Sequence, residues 1–216
     1  MEPAGERPGE SDEPGTNDDV QLPEWPHPEP ELRLAPVPPE DRAPETAELL
    51  AQLKFRPDGP DPNIFATLAH HPRLLKRWSA FGGTLLRRGE LSARARELLI
   101  LRTAWHCRAH YEWSYHVPLG LMSGITRAEV AAIPEGPAAE MWAPADAALL
   151  QAADELHHHA IISDDTWASL ATEHPPAQLV EIPMVVGQYH LVAFTLNSLG
   201  VQLDEQPDAS ASAVDD

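Results

Sequence analysis

A single cysteine, Cys107, among 216 residues leaves no partner for an intramolecular disulfide and no CxxC pair for dithiol chemistry or a thiolate-rich zinc site. Basic side chains are scarce as well: 15 Lys and Arg stand against 34 Asp and Glu, a formal net charge of −19. An acidic chain with no basic, aromatic-interleaved patch repels phosphate, which excludes nucleic acid as a partner. The first residues, MEPAGERPGESDEPG, lack the positive segment and apolar stretch of a secretory signal, so the expected location is cytoplasmic. No segment alternates apolar and polar residues with period two, so strands are not expected. The longest uncharged run, 182–203, is interrupted by Pro183, Gln188, His190 and Asn197 and is read as a buried helix, with no membrane partner.

What is abundant is unevenly placed. Residues 1–45 hold 11 of the 23 prolines and a net charge of −10; residues 204–216 carry five acids and no base, leaving −4 for residues 46–203. The division expected is an acidic, proline-rich disordered arm at 1–45, a helical domain at 46–205, and a disordered acidic tail at 206–216. Residues 1–40 and 206–216 are expected to be dispensable for folding, with Leu22, Trp25 and Leu32 the apolar anchors through which the arm would otherwise dock.

The middle reads as an all-α single domain of seven or eight helices. Leu49, Leu50 and Leu53 open it, a short helix follows from Asn63, and a longer one starts at Pro72 with Leu74, Leu75, Trp78 and Phe81 on one face and Gly89 as a left-handed end. Ser92 is an N-cap for a central helix bearing Leu98 to Leu101. Another helix runs from Glu112 to Met122 and closes at Gly124, after a continuation or a jog near Ala109. Thr126 and Glu129 form a capping box, Ser163 caps a later helix, and a long apolar helix ends near Gly200. Glu97 and Glu181 each precede an apolar run, in ARELLILRTA and LVEIPMVVGQ, a faint echo that does not by itself establish a duplication.

The stretch WHCRAHYEWSYHVPLG, residues 105–120, concentrates the chemistry. Glu112 and His116 lie four apart, so on a helix they share a face, and a carboxylate that orients an imidazole leaves its second nitrogen to move a proton. Glu97, inside RELLILR, is a charge among apolar residues and needs a partner. The catalytic candidates are therefore His116, Glu112 and Glu97. Tyr111, Tyr115, Arg102, Cys107, Trp113 and His190 are the candidates for substrate contact, Arg102 for a substrate carboxylate. No metal ligands and no cofactor are assigned. His106 and His110 are four apart, but no HExxH or CxxC pattern is present, and His157, His158 and His159 cannot face one point from one helix.

The segment ELSARARELLILRTAWHCRAHYEWSYHVPLGLMSGITRAEVAAI (90–133), with VGQYH and LNSLGVQ further on, resembles the carboxymuconolactone decarboxylase family, which includes the alkylhydroperoxidase D-like proteins. The likeness extends over residues 46–205. It implies an all-helical fold, a cofactor-free site and homo-oligomers, commonly trimers or hexamers. Peroxidase-active members pair a glutamate with a CxxC and a histidine four residues after the second cysteine. Glu97 and His116 match that glutamate and histidine, but Ala109 and Glu112 stand at the cysteine positions. The function expected from the decarboxylase-like branch is cofactor-independent acid/base chemistry on a small unsaturated lactone or keto acid, as a decarboxylase or related lyase or isomerase. The alternatives are a non-catalytic oligomeric scaffold and, further off, a thiol-dependent peroxide reductase. An enclosed cavity reached by both Glu112 and His116 separates the enzyme from the scaffold.

Overall fold

A computed structural model describes residues 20–55 and 58–204. Among them are nine α-helices and no strand: α1 (Pro44–Leu53), α2 (Asn63–Leu68), α3 (Pro72–Arg87), α4 (Ala93–His106), α5 (His110–Met122), α6 (Arg127–Ala132), α7 (Pro144–His159), α8 (Asp164–Glu173) and α9 (Pro176–Leu199). The all-helical class is as expected, with one or two more short helices than the periodicity alone separates.

The centre is α4, packed against α5, α7 and α9. Nine of the ten positions from Ala95 to Ala104, all but Arg96, are buried, which is why its apolar residues show no single stripe. The local signals work as read. Ser92 accepts from the Ala95 amide, Ser163 from the Thr166 amide, Thr126 and Glu129 form the reciprocal capping box, and Gly124 and Gly200 take positive φ. Gly89 does not: its φ is not positive, and α3 ends at Arg87. A side chain there would collide with the Glu181 carboxylate, whose Oε2 accepts from the amides of Glu90 (2.6 Å) and Leu91 (2.8 Å). Glu181 thus ties the α3–α4 loop to α9 and, unlike Glu97, faces no histidine.

Between α4 and α5 the chain jogs at Arg108, a non-glycine residue with φ +52°. The break turns α5 back along α4, so that Trp113 meets Trp105 near the turn while His116 reaches Glu97 and Gly120 lies against Leu101. The long helix α9 is long and apolar enough to cross a membrane by length and composition, yet Ile182, Val185, Val186, Tyr189, Val192, Ala193 and Leu196 are buried in the core. Its other side departs from the expectation of a buried helix, because Val180, Met184, Leu191 and Phe194 are exposed at helical spacing.

Residues 1–19 and 205–216 lie outside the described residues, but 20–45 behave differently from a disordered arm. Trp25 stacks on His110 with ring centroids 5.0 Å apart and meets Trp105 edge-on at 5.5 Å. The amides of Arg33 and Leu34 donate to the Leu199 carbonyl, and that of Val37 to Ala66. Leu22 and Trp25 pack on the main core, and Glu29 pairs with His110, whereas Leu32 is exposed. A few large anchors plus backbone hydrogen bonds suffice where composition shows too little apolar content for an independent core.

Candidate functional site

A cavity of about 310 Å³ opens where α1, α2, α3, α5 and α9 meet. Its inner wall carries Glu112 and His116 from α5 and Gln188 and Tyr189 from α9. Its mouth carries Lys54, Phe55 and Arg87. The wall is mostly apolar, and a few polar groups converge in it, the usual composition of a small-molecule site.

His116 is held from behind by α4. Its Nδ1 lies 2.7 Å from Glu97 Oε2, and both side chains are buried, Glu97 to 1 % exposure. Arg96 Nε donates to the other Glu97 oxygen at 3.3 Å, so the carboxylate has the partner its apolar surroundings require. With Nδ1 engaged, Nε2 is the ring nitrogen left for the cavity that His116 lines. The spacing argument therefore chose the wrong carboxylate. Residues four apart on α5 share a face, but Glu112 sits in the first turn, and the neighbouring helix presents Glu97 at shorter reach.

Glu112 is 3 % exposed and neither carboxyl oxygen has a hydrogen-bond partner among the described residues. Burial raises its pKa well above the ordinary carboxylic value. Its place in the first turn of α5 favours the anion by only about 0.3–1 kcal/mol, whereas stripping water from a carboxylate costs several kcal/mol, so the neutral acid prevails. Tyr189 sets its ring edge on His116 at 4.9 Å, and burial holds its phenol protonated.

Of the other expected contacts, Tyr111 and Tyr115 line the cavity but their hydroxyls are committed. Both donate to Asp204, Tyr111 at 2.8 Å, and Asp204 also accepts from the Asn63 amide at 2.6 Å. Burial, then the Asp204 charge, raises the Tyr111 pKa. These tyrosines hold the wall together and fasten the C-terminal segment across the start of α2. Four candidates are elsewhere. Arg102 is locked by Asp154 (2.5 and 2.8 Å) and the carbonyls of Ile133 and Pro134, so it holds α4 to α7 rather than a substrate. Trp113 packs on Trp105 and Trp25. Cys107 and His190 are not in the cavity wall.

The residues missed are Gln188, Tyr189, Arg87, Lys54 and Asp204. One signal pointed at part of this set: Gly82 and Gly83 lie side by side inside α3, where each costs about 1 kcal/mol relative to alanine and so marks a close approach. A Cβ on Gly83 would stand 2.7 Å from an Arg87 guanidinium nitrogen, and one on Gly82 would stand 3.1 Å from Gln188 Nε2.

Residues 72–155, which include Glu97, Glu112 and His116, match the carboxymuconolactone decarboxylase family. The match runs from α3 into α7, the stretch that carries these three residues. Its fold is shared by a peroxidase-related protein with an alkylhydroperoxidase AhpD core from Ralstonia eutropha JMP134, at TM-score 0.68 and 17% identity over 79% of this chain and 91% of that one. A peroxidase-related protein from Silicibacter sp. TM1040 aligns at TM-score 0.67 and 16% identity over 85% and 96% of the two chains. A cysteine-to-alanine variant of the debrominase Bmp8, solved with 2,3,4-tribromopyrrole, aligns at TM-score 0.66 and 15% identity over 86% and 98%. No curated protein matches the chain.

Proposed function

We propose that this protein is a cofactor-independent acid/base enzyme, a decarboxylase or related lyase or isomerase, acting on a small unsaturated lactone or keto acid. The observation that carries this reading is the meeting, in one cavity, of an imidazole oriented by Glu97 and a buried Glu112 carboxyl that lacks any protein partner. A folded protein rarely leaves such a carboxyl orphaned, and a site built to bind a polar group does so before its ligand arrives. A non-catalytic scaffold would fill this space with side chains, and the open cavity favours the enzyme. Thiol-based chemistry is disfavoured because the only cysteine is outside the cavity wall.

In the decarboxylation form of this reading, the bond between the substrate carboxylate and its neighbouring carbon breaks. CO2 leaves, and the electron pair passes into the conjugated carbonyl to give a dienolate. His116 then delivers a proton from Nε2 to carbon, and Glu97 stabilises the ring's orientation from Nδ1. The Gln188 amide and Tyr189 phenol are placed on the same wall to donate to the enolate oxygen, and neutral Glu112 donates a further hydrogen bond. Arg87, at the mouth, takes the carboxylate-holding role expected of Arg102.

The test is a panel of unsaturated lactone acids and β-keto acids incubated with the wild-type protein and with His116→Ala. Turnover of at least one member, reduced on the order of 100- to 10,000-fold in the variant, is expected for loss of a general acid. Unchanged turnover in the variant would remove His116 as the proton donor, and no panel member consumed would favour the scaffold.

A further inference from the structure

Outside the cavity wall lies a second cluster of chemistry-bearing side chains: Cys107 at the end of α4, His157 in the last turn of α7 and His190 in the middle of α9, each half-buried. We propose that these three residues form a binding site for one borderline-soft divalent transition-metal ion, with Zn2+ the ion of best fit.

Three helices deliver the donors to one point. One ligand atom from each residue lies within 4.8 Å of the other two. His157 Nδ1 and His190 Nε2 are 2.9 Å apart. Two imidazole nitrogens sharing a tetrahedral Zn2+ at about 2.0–2.1 Å stand about 3.3 Å from each other, so the rings need part by only about half an ångström. The His190 ring is already fixed as a ligand would be, since its Nδ1 donates to the Val186 carbonyl at 2.8 Å and leaves the Nε2 lone pair pointing at the cluster. Asn197 Nδ2 donates to the Cys107 carbonyl at 2.8 Å and so anchors the cysteine backbone to α9 as well.

The donor set, one thiolate and two imidazoles, suits zinc and leaves a fourth position for water or a ligand. Binding balances simply. The Cys107 thiol proton is released to solvent, and the His157 ring proton moves from Nδ1 to Nε2. Burial, then the neighbouring His106, His190 and His158 rings, hold His157 at about 4, and burial lowers His190 as well, so both are in the neutral form that binds metal. Burial pushes the thiol up to about 12, so the free protein keeps that proton until a metal takes its place. A second trio, His106, His157 and His158, also converges, but His106 Nε2 is engaged by Asp154 at 2.6 Å and His158 is exposed.

The test uses full-length protein stripped of metal by chelator and dialysis, then titrated with Co2+. One equivalent per chain is expected, with a sulfur-to-cobalt charge-transfer band in the near ultraviolet that Zn2+ abolishes by displacement. Cys107→Ser should remove the band, and it and His190→Ala should each weaken Zn2+ by at least the 10- to 100-fold that outer-sphere changes cause. His158→Ala should change nothing. If the variants fold poorly, alkylation of Cys107 in the wild-type protein serves instead, and stoichiometric Zn2+ should slow it. Absence of the band, binding that survives Cys107→Ser but fails in His158→Ala, or alkylation indifferent to Zn2+ would overturn the proposal.

Discussion

Replacing Glu112 by glutamine removes a proton that the folded chain retains and the unfolded chain releases, so the substitution should stabilise the protein in a pH-dependent way. The sign follows from the direction of the shift. Burial raises the native pKa of Glu112 above that of an unfolded glutamate, about 4.3. Below that value both states are protonated and the carboxyl contributes no pH dependence. Above it the native state binds more protons than the unfolded one, so wild-type stability falls with rising pH until the native pKa is passed. The slope inside that window is about 1.4 kcal/mol per pH unit. For a domain of this size each pH unit of the window corresponds to roughly 3–6 °C in Tm. Glutamine keeps the volume and inherits the unpaired polar burial, so the two proteins should be similar near pH 4 and diverge above it. Urea titrations of both across pH 4–8 read the difference directly, with every other titrating group cancelling. Parallel curves at all pH values would mean that Glu112 is ionised in the fold and would refute the neutral-acid assignment.

Glu97→Gln and His116→Ala act on one hydrogen-bonded unit, so the double variant should be little slower than His116→Ala alone; additive losses in kcat/KM would break the unit apart. Deleting residues 1–43, or Trp25→Ala alone, should lower stability by about 2–3 kcal/mol, checked by chemical denaturation, because Trp25 closes over His110 and Trp105. Asp154 behaves oppositely to Glu112: burial pushes it up, but hydrogen bonds from His106 and Arg102 outweigh this and hold it at about 2. Its contribution is complete above the unfolded aspartate value, about 3.9, and is lost as pH falls through about 2, so Asp154→Asn should flatten the acid limb of the stability curve. Self-association is expected through the exposed face of α9, with trimer or hexamer the family expectation; light scattering should give a multiple of the 23.7 kDa chain, and Leu191→Lys should reduce it.

The helices and their ends were legible because each signal is local: Ser92, Ser163, the Thr126–Glu129 box and Gly200 act within one turn of the residues that announce them. His116, Glu112 and Glu97 were legible as a set, but their pairing was not, because i, i+4 spacing describes one helix and the decisive contact crosses between two. The same limit hid the convergence of Cys107, His157 and His190, where consecutive histidines were judged on α7 alone. Arg102 was misassigned for a related reason: its partner, Asp154, lies 52 residues away. Arg87 and Gln188 left only an indirect trace, the glycine pair that makes room for them.

The most direct measurement of the central claim is the incorporation of solvent deuterium into product, at the carbon that loses its carboxyl group, for whichever panel member turns over in D2O. The account predicts a single deuterium added stereospecifically by the wild-type protein, strongly slowed by His116→Ala and partly by Glu97→Gln, with Cys107→Ser without effect. Stereospecific incorporation that persists unchanged in His116→Ala would contradict it.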